Sequence, residues 1–142
     1  MPIDWDEYVK RTNSEHAHQV ALFGWTASNV VQIMYPELRF LFSIPNGFVG
    51  KAEKAKMKAE GLKPGVPDIM LPIPRAFYHG LFIEMKKPAM NGEREGQTRP
   101  EQKVWLAYLE SVGYRTTRCY GFHEARQTLL SYLDLPKSGA AW

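Results

Sequence analysis

The stretch 64-PGVPDIMLPIPRAFYHGLFIEMKKP-88 contains two short apolar runs that hold charged residues. Asp68 opens the first run, and Glu84 and Lys86 lie inside the second. Apolar runs of this length, separated by prolines and a glycine, predict two strands of a hairpin. An unpaired charge in such a region costs several kcal/mol, so these three charges indicate a function. The predicted strands are residues 68–71 and 81–86.

Alternation along the second strand separates its apolar residues from its charges. Side chains of a strand point to opposite faces in turn, so Glu84 and Lys86 share one face, together with Phe82. The opposite face carries Leu81, Ile83 and Met85. If the hairpin pairs the two strands, Asp68 lies beside Glu84. Two adjacent carboxylates repel, and a divalent cation removes the repulsion. Mg²⁺ prefers oxygen ligands and usually keeps several waters, which suits metal-assisted hydrolysis of a phosphodiester.

The rest of the chain predicts helices around a mixed sheet. A long helix begins after Ser14 and ends before Pro36, with a buried stripe that starts at two polar residues, Glu15 and Gln19. A capping box at 98–101 begins a later helix. The stripe continues through Leu22, Thr26, Val30 and Ile33. The predicted order is helix 14–34, strand 39–44, a basic segment 49–61, strands 68–71 and 81–86, a helix ended by Gly113, strand 114–120 and helix 122–134. An α/β architecture with a mixed β-sheet flanked by helices follows.

Composition excludes several classes of protein. The chain of 142 residues is 44% hydrophobic and 13% aromatic, which argues against disorder. Its one cysteine, Cys119, cannot form an internal disulfide, and no apolar run reaches the ~20 residues of a membrane span. The acidic, polar start is not a secretory signal. We expect a soluble, cytoplasmic protein without a membrane partner; the sequence pI near 9.0 permits nucleic-acid binding.

The two runs also carry a family resemblance. GVPDIMLP followed by LFIEMKKP resembles the PD-(D/E)XK (restriction-endonuclease-like) nuclease superfamily, and more narrowly the VRR-NUC domain. The likeness extends from Asn13 to Leu133. It includes the Glu15-x-x-x-Gln19 pair, the IPNG turn at 44–47, GLKPGVPD, and RPEQKVWLAYLESVGY with Gln102.

The resemblance implies a catalytic site. Asp68 and Glu84 would be the main ligands of Mg²⁺ or Mn²⁺, with the backbone carbonyl of Met85, and Lys86 would be the catalytic lysine. Glu15 would be a further acid at the metal, Gln102 would complete the site by hydrogen bonding, and Gln19 would support Glu15. From the residues alone, the favoured interpretation of Glu15 is an exposed first-turn acid stabilised by the helix dipole.

The implied activity is that of a metal-dependent DNA endonuclease. We expect one domain over 1–142, with a core at 13–133 and a flexible tail at 135–142. The resemblance implies a homodimer that cuts branched DNA, such as Holliday junctions, in phage or bacterial replication, recombination or repair. The loop 88–98 is expected to be a surface loop, with contact to DNA or a second subunit left open.

Several alternatives remain at the level of sequence. The chain could be a flap, single-strand or restriction-type nuclease of the same fold, a non-catalytic DNA-binding module, or a plain α/β domain. The histidines lack zinc spacing, and His79 is expected beside the site. A lysine cluster could contact phosphates or form an ordinary solvated face, and Arg39 and Arg75 could extend it. The cluster comprises Lys51, Lys54, Lys56, Lys58 and Lys63.

Overall fold

A computed structural model describes residues 2–45 and 50–138. Asn46 and Gly47 of the predicted turn, and positions 139–142 of the predicted tail, lie outside the described residues. The helices are α1 Trp5–Arg11, α2 Glu15–Thr26, α3 Asn29–Met34, α4 Lys51–Ala59, α5 Pro100–Ser111 and α6 Phe122–Leu133, with a 3-10 turn at Pro36–Phe40. The strands are β1 Phe42–Ser43, β2 Ile69–Leu71, β3 Leu81–Lys86 and β4 Arg115–Tyr120.

The four strands form one mixed sheet in the order β1-β2-β3-β4. The predicted hairpin is present, because β2 and β3 are antiparallel with Ile69 opposite Ile83. β4 lies parallel to β3 on its other side. The predicted mixed sheet flanked by helices is therefore confirmed.

Strand β3 lies at the centre of the fold, and all six of its side chains are buried. Ile83 and Met85 belong to the hydrophobic core, which they share with Leu22 of α2 and Phe122 of α6. On the opposite face, Phe82 packs edge-on against Tyr114 at 5.2 Å between ring centroids. The apolar and the charged side chains of β3 therefore point to opposite faces, as predicted. The candidate site lies on the charged face.

The single long helix predicted over 14–34 is wrong. The chain breaks after Thr26, where the Gln32 side-chain amide donates to the Thr26 carbonyl at 2.6 Å and Ser28 caps α3. Because the extended backbone at Ser28 interrupts the helix, the helical spacing does not carry over from α2 to α3, and the second half of the predicted stripe is exposed. Val30 is 66% exposed and Ile33 81% exposed.

Two other elements, a strand and a helix, differ from the prediction. The strand expected over 39–44 shrinks to Phe42–Ser43, because the 3-10 turn occupies the residues before it. The first helix, α1, is not predicted at all; Asp4 caps it by accepting from the Glu7 N–H at 3.1 Å. Trp5 of α1 packs so closely on Gly24 that a Cβ there would lie 2.0 Å from the indole ring, so α1 is fixed onto α2.

No helix among residues 2–45 and 50–138 is long and apolar enough to cross a membrane.

Candidate active site

The hairpin brings Asp68 to Glu84. Asp68 directly precedes β2, and extending the register of Ile69 with Ile83 by one residue places it opposite Glu84. Its Oδ2 accepts a hydrogen bond of 2.7 Å from the Met85 N–H. Because the N–H and C=O of one strand residue point to the same side, the Met85 carbonyl also faces the side of Asp68. The structure thus brings together three of the groups predicted to hold a metal.

Gln102 links the two charged residues of β3. Its Nε2 donates to Glu84 Oε1 at 2.6 Å, and its Oε1 accepts from Lys86 Nζ at 2.9 Å. Lys86 Nζ also lies 3.6 Å from Glu84 Oε1. All three side chains are buried. The amide, which both donates and accepts, therefore holds the carboxyl group of Glu84 and the ammonium of Lys86 in one fixed arrangement.

The start of α5 positions this amide. Gln102 Oε1 also accepts from the Arg99 N–H at 2.8 Å, so Arg99 is the N-cap of the helix. The capping box predicted at Thr98 and Glu101 is wrong by one residue. The shift has a chemical consequence, because the capping side chain is the same amide that contacts Glu84 and Lys86.

Burial raises the pKa of Glu84 well above its ordinary value. Its side chain is 0% exposed, and desolvation, with Asp68 and Glu15 adding to it and Lys86 opposing it, raises its pKa from 4.5 to about 8. Its second oxygen, Oε2, is buried and has no hydrogen-bond partner among the described residues. At neutral pH the metal-free carboxyl group is therefore mostly protonated, which relieves the repulsion from Asp68.

Glu15 is the exposed acid of this group and the first residue of α2, where Ser14 caps the helix by accepting from the Ala17 N–H at 3.0 Å. Partial desolvation raises the pKa of Glu15, the Lys86 ammonium lowers it, and Asp68 raises it further. A Cβ added at Gly96 would lie 3.4 Å from Glu15 Oε2, so the loop 88–98 approaches this carboxylate. Gln19, half-buried one turn later, keeps its supporting role as a prediction.

The residues present fit a divalent cation. Glu84 Oε2 is buried without a hydrogen-bond partner in the described part of the chain, and it lies next to the carboxylate of Asp68. Together these groups offer the hard oxygen ligands that Mg²⁺ and Mn²⁺ prefer. Within the described ranges, no three His, Cys, Asp or Glu side chains converge as a metal-binding group. The Met85 carbonyl and water would therefore complete the coordination, as is usual for Mg²⁺.

The predicted basic segment forms a helix, α4, ended by Gly61 at φ +106°. It buries none of its residues, so its lysines lie on a solvated surface. In the described part of the chain, none of them forms an ion pair with an acidic group. Their contact with DNA stays a prediction. The exposed residues are Lys51, Lys54, Lys56, Lys58 and, after the helix, Lys63.

Two expectations near the site are wrong. His79 lies at the opposite end of β3 from Glu84, where its N–H donates to the Gly113 carbonyl at 2.8 Å and its ring packs on Tyr114. The prediction failed because the loop 72–80 closes the hairpin at the far end of the strand. Arg75 is buried and donates to Glu37 and to the Leu133 carbonyl, so it stabilises the fold instead of extending a DNA track.

His18 forms hydrogen bonds that stabilise the elements around the site, a role that the sequence did not predict. It is buried, its Nδ1 accepts from the Phe122 N–H at 2.9 Å, and its Nε2 lies 2.9 Å from Asn13 Oδ1. Burial lowers the pKa of His18, so the ring is neutral and Nε2 donates to Asn13. Asn13 in turn donates to the Pro88 carbonyl at 3.0 Å. This series of hydrogen bonds connects α2 to the start of α6 and to the loop after Lys86. The spacing of the histidines in the sequence did not indicate it.

Comparison with known proteins agrees with this arrangement. The profile of the VRR-NUC domain family matches residues 9–123. A solved structure described as a VRR_NUC domain protein is 27% identical, with a TM-score of 0.68, over 87% of this chain and 90% of that one. No curated protein sequence matches the chain.

Proposed function

Because this chain belongs to the VRR-NUC domain family, and so has a nuclease-type domain of the PD-(D/E)XK superfamily, we propose that it is a metal-dependent DNA endonuclease. One observation carries the proposal. The Glu84 Oε2 atom is buried without a partner beside Asp68, while its other oxygen is held by Gln102. An orphaned buried acceptor is costly in a purely structural site and is explained by a bound cation.

Each residue of the site has a role in this proposal. Asp68 and Glu84, with the Met85 carbonyl and with the exposed Glu15, would hold Mg²⁺ or Mn²⁺. When bound, such a cation lowers the pKa of a coordinated water and offsets charge on a phosphate. Lys86 would donate to the attacking water or to a phosphate oxygen. Gln102 would keep the Lys86 ammonium in place, since it already accepts from Nζ.

We propose structured DNA as the substrate, acted on by a homodimer in phage or bacterial replication, recombination or repair. A two-fold dimer would present two equivalent sites to two strands of a branched molecule. An exposed apolar surface supports self-association: α3 carries Val30, Ile33 and Met34 at i, i+3 and i+4, which we call the α3 surface. Phe40 and Phe42, 51% and 44% exposed, follow it in the chain.

A cleavage panel tests the activity. We expect the protein to cut four-way junction DNA with Mg²⁺ or Mn²⁺ faster than flap, duplex or single-stranded DNA, and EDTA to stop all cutting. Faster cutting of a flap or of single strands would favour another nuclease of the same fold. Tight binding of DNA without cutting of any substrate by either metal would indicate a DNA-binding module instead.

Replacing Ile33, which is 81% exposed, tests the dimer. We expect Ile33→Asp to convert the dimer to a monomer, because a charge placed in an apolar interface loses its hydration. Size-exclusion chromatography with light scattering measures the mass. Phe77→Asp is the matched control, since Phe77 is 98% exposed and lies outside the α3 surface. A wild-type protein that is monomeric across the concentration range contradicts the dimer proposal.

A further inference from the structure

A groove between α5 and the edge strand β4 lies beside the site and has no role in the proposal so far. Its volume is about 650 Å³. One wall is α5, and the other is β4, which pairs only with β3 among the strands of the described residues. The polar residues that line this α5–β4 groove are Lys103, Glu110, Arg115, Thr116, Thr117, Arg118 and Tyr120.

The α5–β4 groove carries an excess of positive charge. Three cations, Lys103, Arg115 and Arg118, are opposed by Glu110 alone among its lining residues. Glu110 accepts from the Thr116 hydroxyl at 3.0 Å, so part of its hydrogen-bonding capacity is already used. Lys103 and Arg118 are both exposed, and the described contact of the Arg118 side chain is one long bond of 3.3 Å to the Thr98 hydroxyl. These side chains are therefore available to an anion.

The open edge of β4 adds backbone donors. The Arg115 N–H donates to the Gly80 carbonyl at the start of β3, at 3.0 Å. Because alternate N–H groups of a strand point to opposite sides, those of Thr116 and Arg118 point away from β3, toward the open edge. Basic side chains, hydroxyl groups and free main-chain N–H groups are the donors that proteins use for the phosphates of nucleic acids.

The groove lies next to the site, because two of its lining residues are neighbours of site residues. In the parallel pairing of β3 with β4, Glu84 stands opposite Arg118, so their side chains leave the same face of the sheet from neighbouring strands. Adjacent strands are separated by about 4.8 Å. On the other wall, Lys103 directly follows Gln102, whose amide contacts Glu84. A phosphodiester chain that crosses the site therefore has positive charge immediately to one side.

We infer that the α5–β4 groove binds the sugar–phosphate backbone of the DNA strand next to the bond that is cut, with Lys103 and Arg118 contacting successive phosphates. The inference rests on the proposed nuclease function and names part of its substrate-binding surface. A strand from a second copy could also pair with the edge of β4, but charged side chains such as Arg115 and Arg118 oppose such pairing.

Salt dependence of binding tests the groove without relying on cleavage. A fluorescein-labelled four-way junction is titrated with protein in Ca²⁺, and the affinity is followed by anisotropy over a series of salt concentrations. We expect the double variant Lys103→Gln, Arg118→Gln to lower the slope of log K against log[salt] by roughly two, because each lost phosphate contact removes about 0.9. The double variant Lys10→Gln, Lys137→Gln removes two exposed charges outside the groove and should leave the slope unchanged.

The outcomes separate the groove from the nuclease. If the wild-type protein cuts DNA and the folded groove variant keeps the wild-type slope of log K against log[salt], the groove inference is overturned and the nuclease proposal stands. Wild-type protein that binds without cutting, with a slope that falls in the variant, supports the groove and overturns the nuclease. Wild-type protein that binds no DNA overturns both. An unchanged slope together with an altered molecular mass assigns the edge of β4 to a second copy and also overturns the groove. Thermal melting checks that the variant is folded.

Discussion

Glu84→Gln is expected to lower metal-dependent cleavage by about 10³-fold, the upper end of the 10²–10³-fold loss that follows removal of a group that stabilises transition-state charge directly. Glutamine keeps the shape of the side chain and its bond to Gln102, but it removes the negative charge that would hold the cation. Single-turnover cleavage of the preferred DNA measures the effect. Glu60→Gln, at an exposed glutamate after α4, is the matched control and should cut normally.

The same substitution should stabilise the metal-free protein at high pH. The pKa of Glu84 is about 8 in the folded chain, against an ordinary value of 4.5. Between these values the folded state keeps a proton that the unfolded state has released, so the free energy of unfolding falls as pH rises and the whole penalty is present above about pH 8. Glutamine resembles the protonated carboxyl group and is free of this penalty.

Thermal melting in EDTA at a series of pH values tests this pH dependence. The melting temperature of Glu84→Gln should rise relative to wild type as the pH increases from about 5 to about 8, the window set by the two pKa values. Below about pH 4.5 the two proteins should differ little, because the carboxyl group is then protonated in both states. A constant difference across the window would contradict the raised pKa.

Lys86→Ala is expected to damage catalysis far more than metal binding. Lys86 is buried and fixed by Gln102, so its ammonium is a preorganised donor, and losing one such donor costs about 10²–10³-fold in kcat. Its effect on the metal is indirect, because Lys86 lowers the pKa of Glu84 without being a ligand. Calorimetric titration with Mn²⁺ should show an affinity within a few-fold of wild type, on the order of 1 kcal/mol or less.

The neighbouring lysine provides the control for this prediction. Lys87 is the first residue after the end of β3, and it forms a partly exposed ion pair with Glu93 at 2.8 Å. Such pairs contribute about 0–1 kcal/mol, so Lys87→Ala should fold and cut as wild type does. Equal losses of kcat in both variants, or a loss of Mn²⁺ binding that matches the loss of kcat in Lys86→Ala, would show that Lys86 is not the catalytic lysine.

The central hairpin could be predicted from the sequence because its signals are local. The runs at 68–71 and 81–86 are apolar, bounded by proline and glycine, and period-two alternation separates Glu84 and Lys86 from Ile83 and Met85. Hydrophobic patterning depends only on the residues of the strand itself. The same reasoning failed at Thr26, because the break between α2 and α3 depends on a hydrogen bond from Gln32 that no periodicity reveals.

The contacts across the sheet required the tertiary structure. The contact of Gln102 with Glu84 spans 18 residues, and only a family resemblance indicated it in advance. The position of Arg118 opposite Glu84 follows from a parallel pairing whose register no local pattern specifies. The sequence by itself therefore determined which face of β3 carries charge. The tertiary structure decided which residues surround that charge. Contacts between parallel strands, and between a strand and the helix packed on it, are set by packing and not by spacing along the chain.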